Sequence, residues 1–115
     1  MNIKKVVVFG GSGFIGSHVA DCLSDAGYQV LIYDKVESPW LRVDQEMVIG
    51  DVLDTDKINS AIFRSDVVYN FAALADLNQA LNQPVKTVNV NILGNLNIME
   101  ACRAHGVRRF IYAST

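Results

Sequence analysis

A chain of 115 residues, half of them hydrophobic and with a formal net charge of −2, has apolar content for one core and gives no sign of a second domain. The slight acidic excess speaks against a nucleic-acid surface, which would show as clustered basic residues. No apolar run nears the length of a membrane span, and Val6 to Phe9 is too short for a signal peptide; Cys22 and Cys102 lie far apart with no C-x-x-C or ligand cluster, so reduced thiols in a cytoplasmic protein are expected.

The unbroken run from about Lys4 to Phe9 suits a strand buried on both faces of a parallel sheet. It stops at Gly10-Gly11-Ser12-Gly13-Phe14-Ile15-Gly16, after which a helix is expected to about Ala26, with Ile15, Val19, Cys22, Leu23 and Ala26 on one stripe and Gly27 as its stop. Gln29 to Asp34 is a second apolar run, closing on an acid, and completes one βαβ unit. Lys35 to Glu46 reads as a loop around Ser38-Pro39, in which Trp40 either covers a bound base or folds back onto the domain. Met47 to Ile49 is a short third strand. Asp54, Thr55 and Asp56 start a helix carrying Ile58, Ala61 and Ile62 at helical spacing.

Asp66 to Phe71 is the fourth strand, leading into Ala72-Ala73. Leu74 to Gln83 is a loop or a short helix before Pro84, and one long helix is expected from there to His105, with Val85, Val88, Ile92, Leu96 and Met99 as its apolar stripe and Gly106 as its end. Arg109 to Ala113 is the fifth strand, with Ser114-Thr115 at its close. Strands alternating with helices predict an α/β domain over residues 1–115 with a parallel sheet in the order 3-2-1-4-5. Ligands bind such sheets beyond the carboxyl ends of the strands, near the reversal of strand order between strands 1 and 4.

The glycine turn lies at that place. Gly11, Gly13 and Gly16 satisfy G-x-G-x-x-G, and Gly10, Gly13 and Gly16 satisfy a G-x-x-G-x-x-G spacing. Either frame bares backbone N–H groups, and the following helix aims its unpaired amides and positive dipole end at the same spot, so a diphosphate is the natural occupant. The pattern gains specificity from the strand before it, the helix after it and Asp34 about twenty residues on. A carboxylate there accepts hydrogen bonds from both ribose hydroxyls and repels a 2′-phosphate, favouring NAD over NADP; Lys35 beside it softens that exclusion.

Phe9-Gly10-Gly11-Ser12-Gly13-Phe14-Ile15-Gly16, Tyr33-Asp34, Gly50-Asp51-Val52, Asn70-Phe71-Ala72-Ala73, Asn91-Ile92-Leu93-Gly94-Asn95 and Arg109 to Thr115 occur in the order seen in the NAD-dependent epimerase/dehydratase family. The chain resembles the first part of a member of that family, the extended branch of the short-chain dehydrogenase/reductases. The resemblance implies a Rossmann-type doubly wound sheet truncated after strand 5, with NAD as cofactor. It assigns cofactor binding to Gly10, Gly13, Phe14, Ile15, Gly16, Asp34, Lys35, Asp51, Val52, Phe71, Ala72, Ala73 and Asn91. Within that set, Asp51 and the Val52 backbone would meet the adenine edge, and Phe71-Ala72-Ala73 would pass under the cofactor. Asn91 would lie near the nicotinamide, although a buried Asn serving backbone groups is an equal reading. Thr115 would hold the sugar hydroxyl that is oxidised, whereas His18 and His105 read as structural.

The family also uses a Tyr-x-x-x-Lys pair, in which the lysine lowers the tyrosine pKa so that the phenolate takes the substrate proton. Tyr28, Tyr33 and Tyr69 are followed four residues later by Ile32, Glu37 and Ala73, and Tyr112 lies within four residues of the end. The expectation is therefore the NAD-binding portion of a nucleotide-sugar epimerase or dehydratase that binds NAD without turnover by itself, the alternative being a stand-alone NAD-holding module. Self-association as a dimer or larger species is expected if strand 5 is an open edge.

Overall fold

The computed structural model describes residues 4–73 and 77–113. Five strands, β1 (Lys5–Phe9), β2 (Gln29–Asp34), β3 (Gln45–Ile49), β4 (Val67–Asn70) and β5 (Arg109–Tyr112), form one sheet in the order β3-β2-β1-β4-β5. Every pairing is parallel, with Val8 beside both Ile32 and Tyr69. This is the Rossmann-type arrangement expected from the alternation of elements.

The strands alternate their side chains between two apolar layers. Val7, Phe9, Leu31, Tyr33 and Val68 face a core shared with Ile58, Ala61 and Ile62 of α2 (Thr55–Ile62) and with Ile98, Ala101 and Cys102 of α5 (Asn95–Ala104). Val6, Val8, Val30 and Ile32 face Ala20 of α1 (Phe14–Asp25), with Leu23, Val67, Tyr69 and Phe71 partly buried around them. Asp54 caps α2 as expected, its carboxylate accepting the Lys57 N–H at 3.1 Å. Between β4 and α5 stand α3 (Leu77–Asn82) and α4 (Pro84–Val88), followed by a π-helical stretch, Asn89–Gly94.

The stripe of α2, Ile58, Ala61 and Ile62, is buried as expected, and the other two expected apolar stripes are corrected by this packing. On α1 the buried residues are Gly16, Ser17 and Ala20, while Ile15 and Cys22 are exposed and Leu23 is half-buried. The cause is close approach: a Cβ on Gly16 would lie 2.2 Å from the Gly10 carbonyl oxygen, so only a face of small residues can sit over the turn. The expected single helix from Pro84 to His105 is interrupted by the wider π turns. Val90, Gly94, Ile98, Ala101 and Cys102 go inward, and Val85, Val88, Ile92, Leu96 and Met99 are left exposed.

Candidate functional site

The ladders of β1, β3 and β4 each continue one residue past the strand's end. The Gly10 N–H donates to the Tyr33 carbonyl at 2.8 Å, the Gly50 N–H to the Asp34 carbonyl at 2.9 Å, and the Phe71 N–H to the Phe9 carbonyl at 2.8 Å. Glycine turn, acid and small-residue turn are thereby set side by side at the carboxyl edge of the sheet. They surround a cavity of about 200 Å³ lined by Gly10, Gly13, Tyr33, Asp34, Lys35, Gly50, Val52, Phe71, Ala72, Ala73 and Val90. A neighbouring cavity of about 240 Å³ shares Phe71, Ala72 and Ala73 as its wall and adds Asn70, Asn91, Asn95, Tyr112 and Ala113.

The turn requires glycine for two separate reasons. Gly10 has φ +74°, and a Cβ on it would lie 2.6 Å from the Phe71 carbonyl carbon and 2.7 Å from the Ala72 nitrogen, so β1 and β4 can close here only without a side chain. Gly13, by contrast, has ordinary extended backbone and is exposed, and a Cβ on it would meet nothing nearer than the Gly10 oxygen at 3.5 Å. Space at Gly13 is therefore open to a ligand rather than consumed by packing. Of the two glycine frames, Gly10 and Gly13 face the cavity, while a Cβ on Gly11 would strike Ile32 at 2.5 Å. The first intrahelical backbone bond of α1 runs from the Ser17 N–H to the Gly13 carbonyl, which leaves the first-turn amides of the helix pointing out of it beside this opening.

Asp34 ties the turn to β2. Its Oδ2 accepts the Ser12 N–H at 3.0 Å, and its Oδ1 accepts those of Lys35 at 2.7 Å and Val36 at 3.4 Å. Ser12 returns the link by donating its hydroxyl to the Val36 carbonyl at 2.6 Å. Two carboxylate oxygens with about four lone-pair positions keep room for a further donor.

Of the remaining expected site residues, Val52 and the Phe71–Ala73 turn line the first cavity and Asn91 lines the second. Phe14, Ile15 and Gly16 form the start of α1 and Asp51 flanks Val52; none of the four lines either cavity. Trp40 is more than half exposed and lines neither cavity. Thr115 and Ser114 lie outside the described residues.

Tyr33 and Val90 enter the cavity without having been expected there. Tyr33 was legible only as a strand residue before an acid, although an aromatic with a polar end in a buried strand does need a hydrogen-bond partner. That partner is the Asp51 carbonyl at 2.7 Å, and burial beside Asp54 and Asp51 pushes the Tyr33 phenol up to about 12. Val90 carried no signal, because the π turn that aims it is not visible in a hydrophobic pattern.

The asparagines near α5 have partners that separate their roles. Asn70 is buried, accepts the Ala72 N–H at 2.9 Å and donates to Asn95 Oδ1 at 2.9 Å, so the pair holds the wall between the two cavities. Asn97 donates to the Val52 carbonyl at 3.1 Å. No helix among the described residues is long and apolar enough to cross a membrane.

The model of the NAD dependent epimerase/dehydratase family matches residues 6–115. A UDP-glucose 4-epimerase of Rhizobium meliloti is 28% identical over 119 residues, covering 100% of this chain and 36% of that protein. A 3-beta-hydroxysteroid dehydrogenase of Mycolicibacterium neoaurum is 30% identical over 99% of this chain and 32% of that protein. Among solved structures, the UDP-glucose 4-epimerase of Thermus thermophilus in complex with NAD superposes with a TM-score of 0.91 at 34% identity, over 96% of this chain and 37% of that one. The chain thus spans about a third of the length of the relatives it matches.

Proposed function

Because the chain belongs to the NAD dependent epimerase/dehydratase family, we propose that residues 1–115 form its cofactor domain and bind NAD in the cavity at the carboxyl edge of the sheet. The observation that carries this reading is the opening at Gly13: bare backbone beside the start of α1, with Asp34 across the cavity. The diphosphate lies against Gly10, Gly13 and the first-turn amides of Phe14, Ile15 and Gly16, where N–H groups and helix dipole favour negative charge. The adenosine ribose hydroxyls donate to Asp34, beside Lys35. The adenine edge meets Asp51 and Val52, the chain passes under the cofactor at Phe71, Ala72 and Ala73, and the nicotinamide end reaches the second cavity at Asn91.

In a family member of the relatives' length, NAD would supply the acceptor for a transient oxidation of a substrate hydroxyl, and the residue at Thr115 would hold that hydroxyl. The relatives bearing nucleotide-sugar names support a nucleotide-sugar epimerase or dehydratase. Residues 1–115 contain no Tyr-x-x-x-Lys, so they bind NAD without turning over substrate. Calorimetric titration tests the reading: one saturable NAD site per chain, with NADP at least about tenfold weaker, is the expected result. Heat of dilution alone would overturn it. The half-covered sheet face at Val67, Tyr69 and Phe71 further supports self-association of this chain. Sedimentation should show a concentration-dependent dimer, and a monomer throughout would count against it.

A further inference from the structure

The turn Gly50-Asp51-Val52 belongs to no helix or strand, yet its carbonyls are held from three directions. The Asp51 carbonyl accepts the Tyr33 hydroxyl at 2.7 Å from β2 and the Asp54 N–H at 3.1 Å from the cap of α2. The Val52 carbonyl accepts Asn97 Nδ2 at 3.1 Å from α5, and just before the turn the Ile49 carbonyl accepts Lys57 Nζ at 2.9 Å. Packing completes the grip. A Cβ on Gly94 would lie 2.5 Å from Val52 Cγ2, so the missing side chain in the π stretch makes room for Val52, and a Cβ on Gly50 would strike the Tyr33 hydroxyl at the same distance. On its other side the turn lends Gly50 and Val52 to the wall of the first cavity. Asp51 Oδ1 accepts the Leu53 N–H at 3.0 Å, and among the described residues no group hydrogen-bonds Asp51 Oδ2 or the Val52 N–H.

We propose that Tyr33 and Asn97 are positioning residues that pin the carbonyls of Asp51 and Val52, so that the turn holds one acceptor and one donor ready for the edge of a purine base. This deepens, and rests on, the reading of the cavity as an NAD site. An adenine edge offers an amino donor beside a ring-nitrogen acceptor, which matches a carboxylate beside an N–H. A hypoxanthine edge reverses the two, placing a carbonyl against the carboxylate and an N–H against the N–H. A site with fixed polar groups rejects the reversed edge, whereas a loose turn re-orients and accepts both. Neither side chain need touch the cofactor for this to hold.

The test compares NAD with nicotinamide hypoxanthine dinucleotide, by calorimetric titration of the purified protein and of its Tyr33→Phe and Asn97→Ala variants. Tyr33→Phe removes one oxygen from a buried ring, and Asn97→Ala alters a half-buried position, so two variants of different structural risk address the same turn. The unaltered protein is expected to prefer NAD by about tenfold, and each variant to lower that preference to about threefold or less. A variant that melts lower but keeps the full preference would overturn the proposal, because a purely structural role moves stability and not the ratio. Equal binding of both dinucleotides by the unaltered protein would overturn the adenine contact and the clamp together. Failure of NAD itself to bind would instead remove the cofactor reading beneath them.

Discussion

Alanine at Gly10 and alanine at Gly13 are the same chemical change three residues apart, and the structure separates their consequences. At Gly10 the new methyl would sit on a backbone with φ +74° and within 2.7 Å of both the Phe71 carbonyl carbon and the Ala72 nitrogen. Those atoms cannot retreat freely, since the Phe71 N–H is bonded to the Phe9 carbonyl. Left-handed backbone costs roughly 1–2 kcal/mol for a residue with a side chain, and overpacking adds about 1–3. Gly10→Ala should therefore destabilise the fold by about 2–5 kcal/mol, a fall in melting temperature on the order of 10 °C for a domain of this size. At Gly13 the backbone has φ −80° and the nearest atom to the new methyl is at 3.5 Å, so stability should change by less than about 1 kcal/mol. The loss there falls on the ligand. Displacing a diphosphate from even one amide forfeits a charge-assisted hydrogen bond of about 1.5–3 kcal/mol, or roughly 10- to 100-fold in NAD affinity. Scanning calorimetry reads the first quantity and isothermal titration the second. If Gly13→Ala binds NAD as tightly as the unaltered chain, or Gly10→Ala melts at the unaltered temperature, the assignment of packing to one glycine and ligand access to the other is refuted.

Asp34 carries internal bonds as well as the proposed ribose contact, so Asp34→Ala should weaken NAD by one or two charge-assisted hydrogen bonds of about 1.5–3 kcal/mol each, and Asp34→Asn should lose less while narrowing the preference for NAD over NADP; titrations giving unchanged affinities for both variants would exclude the role. The two cysteines should differ in reactivity, because Cys102 is buried, with its thiol pushed up to about 11, whereas Cys22 is exposed; a chromogenic disulfide at neutral pH should modify one thiol rapidly, and Cys22→Ser should abolish that phase. Tyr33 holds its proton more tightly folded than unfolded, so its share of stability is complete below pH 10 and lost as pH rises toward about 12. Tyr33→Phe should flatten the alkaline decline in melting temperature over that window, and an identical decline in both proteins would place the titration elsewhere.

What the order of residues determined by itself is the sheet and the place of the site. Apolar runs closing on Gly10, Asp34 and Asn70 are short-range signals: a buried parallel strand needs continuous apolar residues, and its end needs a turn former. The order β3-β2-β1-β4-β5 followed from the alternation of strands and helices. Helix orientation was a different matter, and here the apolar stripes misled. Ile15 and Val85 to Met99 have helical spacing, but spacing says which residues share a face, not which face meets the sheet. Contact distance decided that: Gly16 must pass the Gly10 carbonyl and Gly94 must pass Val52, so the small faces went inward and the larger apolar residues outward. Tertiary structure alone likewise brought Tyr33, Asp51, Val52 and Asn97, drawn from three separated segments, to one turn. Hydrogen bonds between residues 18 and 45 positions apart leave no periodic trace in a sequence, because nothing in the local chain requires them until the sheet and its helices have already met.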